Sequence, residues 1–384
     1  DVSFGSHLIM SKDQLAKLIF EEYQYLPFAR RLAKARRLIL TRIRPLKKEQ
    51  IRKRYCAIRE EVDFHGEGHW EWARRAIAPI RAEYKATLRK LDQWLTIDPV
   101  GVYLEMLAPE ERDQTTDALN RQEILFEDVA PLLFLIGQLE GFPVQRKIRQ
   151  VVIDEGQDYS EMQLKIIQAL FPRAHFTILG DENQRLNPSL SERNGLTSVT
   201  DVFPEGTVER FYLTKIYRST QEITRFCLAL LPEADRGNVV PLIRNGSKPC
   251  VTPVTPTNHS EKVSERIQEM LHRGNKSIAV ICRSAVQAKE VHGALYELNP
   301  SLIVSEYSTY HSGLVVIPYY LAKGLEFDAV VIWDANASHF GEPYHRYQLY
   351  VACSRALHEL AVFYTEEPSP FLREIPQEMF QLLS

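Results

Sequence analysis

From about residue 147 to the end of the chain, short aliphatic runs alternate with amphipathic stretches, and this alternation constrains the fold more than any other feature. The runs Val151-Val152-Ile153, Phe176–Leu179, Ser277–Ile281, Leu314–Ile317, Ala329–Trp333 and Leu360–Phe363 are continuously apolar. That is the pattern of strands buried on both faces of a parallel sheet. Between them, Met162–Leu170, Thr220–Leu231, Ala285–Leu298 and Arg346–Ala356 have helical periodicity and would cover such a sheet. The predicted class is α/β, with right-handed crossovers joining parallel strands. A break is expected between about Gly195 and Arg210, where SERNGLTSVTDVFPEG is rich in turn formers, and Asn245–Asn258 reads as a second loop or edge region.

The first 145 residues have a different texture and read as mostly helical, with residues 61–145 rich in Glu, Arg and Leu. Between Arg30 and Arg59 stand thirteen cations (Arg30, Arg31, Lys34, Arg36, Arg37, Arg42, Arg44, Lys47, Lys48, Arg52, Lys53, Arg54, Arg59) against one acid, Glu49. Leu15, Leu18 and Ile19, then Leu32, Ala35, Leu38 and Ile39, recur at helical spacing through it, predicting amphipathic helices interrupted at Pro27 and Pro45. The basic stretch reads either as a solvated helical face or as a surface for nucleic-acid phosphates or an acidic partner. Asp98-Pro99 and Ala108-Pro109 read as helix starts.

Composition excludes several classes. With 384 residues and 45% hydrophobic content, the chain is too apolar for disorder and long enough for two or three domains. Its 47 Lys and Arg against 50 Asp and Glu exclude a globally basic nucleic-acid coat, and no run approaches the ~18 apolar residues of a membrane helix. Five cysteines (Cys56, Cys227, Cys250, Cys282, Cys353) without a C-x-x-C pair argue against a zinc site or disulfide framework and suit a cytoplasmic protein. The chain opens at Asp1 without an initiator Met, so it is expected to be a piece of a longer protein.

Five segments carry chemistry. The first strand runs into Asp154-Glu155-Gly156-Gln157-Asp158, placing adjacent carboxylates at the end of a parallel strand, where α/β sheets bind ligands; this suits a Mg²⁺ ligand followed by a water-orienting base, or simply a cap for the next helix. The second ends in Gly180-Asp181-Glu182-Asn183-Gln184, whose glutamine can sense a γ-phosphate or serve a turn. Tyr217-Arg218-Ser219, Lys323-Gly324-Leu325-Glu326-Phe327-Asp328 and Tyr350–Ala356, with Arg355, then bring cations suited to a phosphate.

Taken in order, VVIDEGQD, ILGDENQ, YRS, KGLEFD and YVACSRA resemble motifs II to VI of superfamily 1 helicases of the UvrD/Rep type, over about residues 147–365. The phrases ILFEDVAPLLFLIGQLEG, FPRAHFTILGD and IPYYLAKGLEFDAVVIWDA look like the HelD-type proteins, helicase-like ATPases that bind bacterial RNA polymerase. The resemblance implies RecA-like parallel-sheet lobes: a helical insertion of lobe 1 over 1–145, the end of lobe 1 over 146–208, and lobe 2 over 209–384. It implies ATP and Mg²⁺, with Asp154 on the metal, Glu155 activating water and Gln184 at the γ-phosphate. Tyr217 would stack on adenine, Arg218 and Arg355 would act as arginine fingers, Lys323 and Gly324 would approach the phosphates, and Glu326 would lie near the ribose.

Departures from the family pattern matter equally. No G-x-x-x-x-G-K-[ST] occurs, so the chain is expected to start downstream of the phosphate loop and to lack ATPase activity by itself. Gly156 stands where motif II usually has Ala, Asn187 where motif III usually has a base-stacking aromatic, and Tyr320 where motif V often has His. Loss of stacking, about 1–3 kcal/mol per base, favours a remodelling factor for RNA polymerase core over a translocase on single-stranded DNA. A third reading is a binding module with a lapsed ATPase.

Overall fold

The computed structural model describes residues 1–61, 69–185, 196–203, 207–237, 240–241, 244–305, 307–308 and 313–383. Asn187 lies outside the described residues, as does part of the expected break at 195–210. The chain divides into two compact units, Asp1–Val151 with Met162–His175, and Val152–Glu161 with Phe176–Ser384.

The first unit opens with an antiparallel hairpin, β1 (Val2–Phe4) and β2 (His7–Met10), followed by α1 (Lys12–Lys17), α2 (Phe28–Glu61), α3 (His69–Trp94), α4 (Pro99–Met106), α5 (Pro109–Asn120) and α6 (Phe126–Glu140). Pairing of Arg36 with Asp92 and of Lys47 with the Tyr84 ring shows that α2 and α3 run antiparallel. Their seam buries Leu32, Ala35, Ile39, Ile43 and Leu91 together with Phe4 of the hairpin. Pro27 precedes α2, but Pro45 lies inside it, contrary to the expected interruption. A mid-helix proline costs about 3 kcal/mol. The apolar seam continues past it to Leu46, and burial of several aliphatic side chains at about 1.5–3 kcal/mol each outweighs the lost bond. Helices α4 and α5 start at Asp98-Pro99 and Ala108-Pro109 as expected. Buried Asp128 of α6 accepts from Tyr103 Oη at 2.7 Å and Thr115 Oγ1 at 2.8 Å, fastening the three helices together.

Next come β3 (Gln150–Ile153), α7 (Glu161–Leu170), β4 (His175–Ile178), α8 (Val199–Val202), β5 (Lys215–Ile216), α9 (Gln221–Leu230), β6 (Val240–Pro241), β7 (Cys250–Val254) and α10 (His259–His272). The chain continues through β8 (Ile278–Cys282), α11 (Ala285–Ala294), β9 (Ser301–Leu302), β10 (Leu314–Pro318), β11 (Phe327–Ile332), α12 (His345–Cys353), β12 (Ala356–Thr365), α13 (Pro370–Arg373) and β13 (Gln381–Leu382). A seven-stranded sheet in the order β13-β7-β12-β11-β8-β10-β9 is parallel at every pairing, as a RecA-like α/β fold requires. Alternate residues enter two cores: Ala279, Ile281, Val330, Ile332 and Val362 face α9 and α12, while Ile278, Val280, Val331, Ala361 and Phe363 face α10 and α11. Burial of both faces explains why the runs were apolar without alternation.

Three expectations are corrected. Asn245–Asn258 is no loop: it contains β7, an interior strand of the sheet. Pro253 is tolerated there because odd-numbered residues of β7 bond toward β13, whose last bond, Leu383 N to Val251 O, stops short of it. The strands β3 and β4 are not buried on both faces: among the described residues they pair only with each other, and although Ile153 is buried, Val152 is 63% exposed and Leu179, just beyond β4, 44%. The helix expected over Arg346–Ala356 ends at Cys353, and Ala356 already begins β12.

Candidate functional site

The motif residues converge inside the second unit, where the turns after β3 and β4 meet the residues that precede β11 and β12. Two glycines allow the first approach. Gly156 N donates to Leu179 O at 2.7 Å, and a Cβ on Gly156 would lie 2.5 Å from Ile178 Cγ2. A Cβ on Gly180 would lie 2.2 Å from Gln157 Oε1. The glycine in motif II thus belongs with the tight packing of its turn against the neighbouring one. Just before Gly156, Glu155 adopts a left-handed backbone, φ 53°, unusual for a residue with a side chain and found more often at functional turns.

Gln157, fully buried, ties the two turns together: Nε2 donates to Glu155 Oε2 at 2.6 Å, and Oε1 accepts from Asp181 N at 3.1 Å. Asp181 caps the short helical turn of residues 182–184 and accepts from Gln184 Nε2 at 2.9 Å. Asp154 is exposed, with one carboxylate oxygen accepting from Glu155 N at 2.9 Å.

Lys323 enters from the loop before β11. Its ammonium lies 2.5 Å from Asp158 Oδ2, 3.2 Å from Glu155 Oε2 and 2.8 Å from the Gln184 carbonyl oxygen, with its side chain only 7% exposed. The ammonium thus donates to Asp158 and to the Gln184 carbonyl and lies within ion-pairing distance of Glu155. Gly324 follows with φ +78° and open space around it, a conformation that permits the sharp exit of the chain from Lys323. Arg355, the residue before β12, is 1% exposed; it donates to Val351 O at 3.0 Å, Gln184 Oε1 at 2.5 Å and Ser354 Oγ at 3.0 Å. Burial, reinforced by the Arg218 charge, lowers its affinity for the proton, and Glu155 opposes the shift. Arg218 pairs with Glu326 at 2.6 Å, and Tyr217 stands 63% exposed beside it.

The structure therefore joins Glu155, Gln184, Lys323 and Arg355 in one network of hydrogen bonds and ion pairs, and Arg218 with Glu326 in an ion pair near Arg355. Asp154, Tyr217 and Gly324 sit at the edge without side-chain bonds to that network. Sequence reasoning missed the use of Gln157, Asp158 and Asp181, which lay inside the recognised strings but read as spacers or caps. It also missed Asn183, whose Nδ2 donates to Asp235 O at 2.8 Å, and Tyr347, whose hydroxyl donates to the Asp235 carboxylate and whose ring lies 5.0 Å from the Arg185 guanidinium.

Comparison with known proteins bears on this arrangement. Residues 138–186 match the UvrD/REP helicase N-terminal domain and residues 313–363 the UvrD-like helicase C-terminal domain. The first match holds the Glu155 and Gln184 turns, the second Lys323 and Arg355. Together these support a superfamily 1, UvrD/Rep-type helicase-like chain. A protein of Acanthamoeba polyphaga mimivirus named as a candidate ATP-dependent DNA helicase is 28% identical over 249 residues, covering 56% of this chain; the chain spans about a third (34%) of that relative's length. A crystal structure of the C-terminal domain of a possible DNA helicase from Lactobacillus plantarum WCFS1 is 28% identical, covering 43% of this chain and 98% of its own, with a TM-score of 0.38.

Proposed function

We propose that this helicase-like chain is the hydrolysis-sensing part of an ATP-driven motor and, within that class, of a HelD-type factor that binds and remodels RNA polymerase core in the cytoplasm. The observation that carries the motor reading is the convergence of Lys323 and Arg355, from two strand-start loops, on Glu155, Asp158 and Gln184. Phosphoryl transfer demands cations for charge on the transferring group and a side chain that positions the attacking water, with little covalent work for the protein. In this reading Glu155 activates water and Gln184 reports on the γ-phosphate, while Arg218 and Arg355 supply positive charge, Tyr217 stacks on the base, and Glu326 meets the ribose. Lys323 and Gly324 approach the phosphates.

The donor set fits a Mg²⁺ site in part: the exposed Asp154 carboxylate keeps an oxygen for a hard cation, which prefers one or two carboxylates plus phosphate oxygens. No G-x-x-x-x-G-K-[ST] occurs in the sequence, so none of the residues named here supplies a phosphate cradle of that kind. Every cation at the site is already satisfied by an internal acceptor, so a phosphate must compete for it. Exchange of those partners is the proposed route from hydrolysis to motion of the domains, taken as a helical insertion over 1–145, the end of lobe 1 over 146–208 and lobe 2 over 209–384.

A second reading, a motor on single-stranded DNA, is favoured by the mimivirus relative's description. Turnover of the full-length protein, titrated separately with single-stranded DNA and with RNA polymerase core, separates the two. Stimulation by polymerase supports the remodelling factor; stimulation by DNA alone transfers the motor to DNA; no ATP turnover under any condition refutes both.

A further inference from the structure

Eleven of the cations of α2, all but Arg54 and Arg59, fall into two sets. One set serves the unit's own structure: Arg31 donates to the Gln24 and Leu26 carbonyls, Arg36 pairs with Asp92, Arg42 donates to Ile9 O, Lys47 lies over Tyr84, and Lys53 pairs with Glu49. The other set is Arg30, Lys34, Arg37, Arg44, Lys48 and Arg52, all exposed and spaced by 4, 3, 7, 4 and 4 residues. That spacing places the six on one face of the helix, opposite Ala35, Ile39 and Ile43, which are fully buried. Among the described residues no carboxylate lies within ion-pairing distance of any of the six, and Lys34 alone of them has a side-chain hydrogen-bond partner, the Tyr25 hydroxyl at 2.8 Å.

A solvated face kept for solubility interleaves both signs. This one does not. Lys34 with Arg30 or Arg37, and Lys48 with Arg44 or Arg52, are like-charge neighbours that destabilise a helix, and the fold draws no contact from most of them. The stripe spans about 33 Å at 1.5 Å per residue, roughly the length of ten base pairs of a duplex at 3.4 Å each. Aromatic residues stand only at the two ends of the stripe, exposed Tyr25 beside Lys34 and exposed Tyr55 one turn beyond Arg52, and the span from Arg37 to Arg52 carries none. Proteins that hold single strands supply aromatic platforms for unstacked bases, whereas a duplex keeps its bases stacked and presents phosphates alone.

We propose that the outward face of α2 binds the phosphate backbone of a nucleic-acid duplex, without reading its sequence, through Arg30, Arg37, Arg44, Lys48 and Arg52, with Lys34 at its margin. The proposal is independent of the ATP reading, since it needs neither nucleotide nor the second unit's site. Each phosphate neutralised releases condensed counterions and contributes about −0.9 to the slope of log K against log salt.

The test uses the whole chain and a fluorescent duplex of about 20 base pairs, with binding followed by anisotropy between roughly 50 and 200 mM salt. Five contacts give an affinity loss of about 500-fold over that range; the triple variant R37Q/R44Q/K48Q should lose only about 10-fold, and bind more weakly at low salt. A control triple, R54Q/K85Q/R89Q, removes equal charge from exposed positions off the stripe and should keep the wild-type slope. The substituted side chains are exposed, so thermal midpoints should match; were R37Q/R44Q/K48Q not to fold, Arg44→Gln alone should still reduce the slope by about 0.9. Equal slopes for wild type and stripe variant, an equal reduction in the control, or no duplex binding at low salt overturns the proposal. Competition by polyglutamate as strong as by duplex would assign the face to an acidic protein and likewise overturn it.

Discussion

Replacing Arg355 probes the tie between two of the motif turns. The guanidinium is buried and donates to Gln184 Oε1, Val351 O and Ser354 Oγ, of which Val351 O keeps a second donor in Ser354 Oγ. Arg355→Met keeps the apolar stem and removes the fork. Gln184 Oε1 then loses its donor in a partly buried setting, at about 1–3 kcal/mol, while relief of guanidinium desolvation offsets part of this. A net loss of about 2 kcal/mol is expected. Arg355→Ala also removes two methylenes, Cγ and Cδ, at about 0.8 kcal/mol each, for a total of about 3.5 kcal/mol. In the second unit, roughly 220 residues by its bounds, a loss of about 2 kcal/mol lowers the thermal midpoint by about 4–8 °C. Urea unfolding of Arg355→Met, Gln184→Ala and the double variant measures the coupling directly, expected at about 1 kcal/mol or more. A Met variant as stable as wild type, with no coupling to Gln184, would show that the bond holds nothing together.

Other outcomes follow from the same geometry. Gly156→Ala should destabilise by about 1–3 kcal/mol, because the added methyl collides with Ile178 Cγ2, and most of that loss should vanish in an Ile178→Ala background; equal losses in both backgrounds would contradict the steric account. His259 is stacked on Trp333 and donates to its carbonyl, and burial pushes its imidazole below the ordinary 6.5, so the unfolded chain binds the proton more readily. The resulting stability is present above about pH 6.5 and lost as pH falls toward the folded value. The urea midpoint should therefore drop between pH 7.5 and 5.5 by less in His259→Gln than in wild type; identical drops would refute this. Of the five thiols only Cys56 is exposed, and burial pushes Cys227 up to about 12, so one thiol should react rapidly with a disulfide reagent in the folded protein and the other four only on unfolding.

How much of this could be read from sequence depended on where each residue's constraint came from. The strands of the large sheet were visible because burial on both faces demands unbroken aliphatic runs, as in Ile278–Cys282 and Phe327–Ile332. β7 was hidden by prolines whose cost depends on which neighbour the missing amide would face, a tertiary fact. Pro45 misled for a related reason: propensity argues for a break, and packing of Ile39, Ile43 and Leu46 decides otherwise. At the site, residues of distinctive chemistry such as Glu155, Lys323 and Arg355 stood out in their motifs. Gln157 and Asp158 did not, because a buried amide and a partner carboxylate acquire meaning only when Asp181 and Lys323 arrive from elsewhere in the chain.

The central claim is that Glu155 activates water for ATP hydrolysis. Its most direct test is steady-state ATP turnover of the full-length protein carrying Glu155→Gln, measured beside nucleotide binding. Turnover abolished with binding retained is the expected result. Normal turnover in that variant would contradict the assignment and the motor built on it.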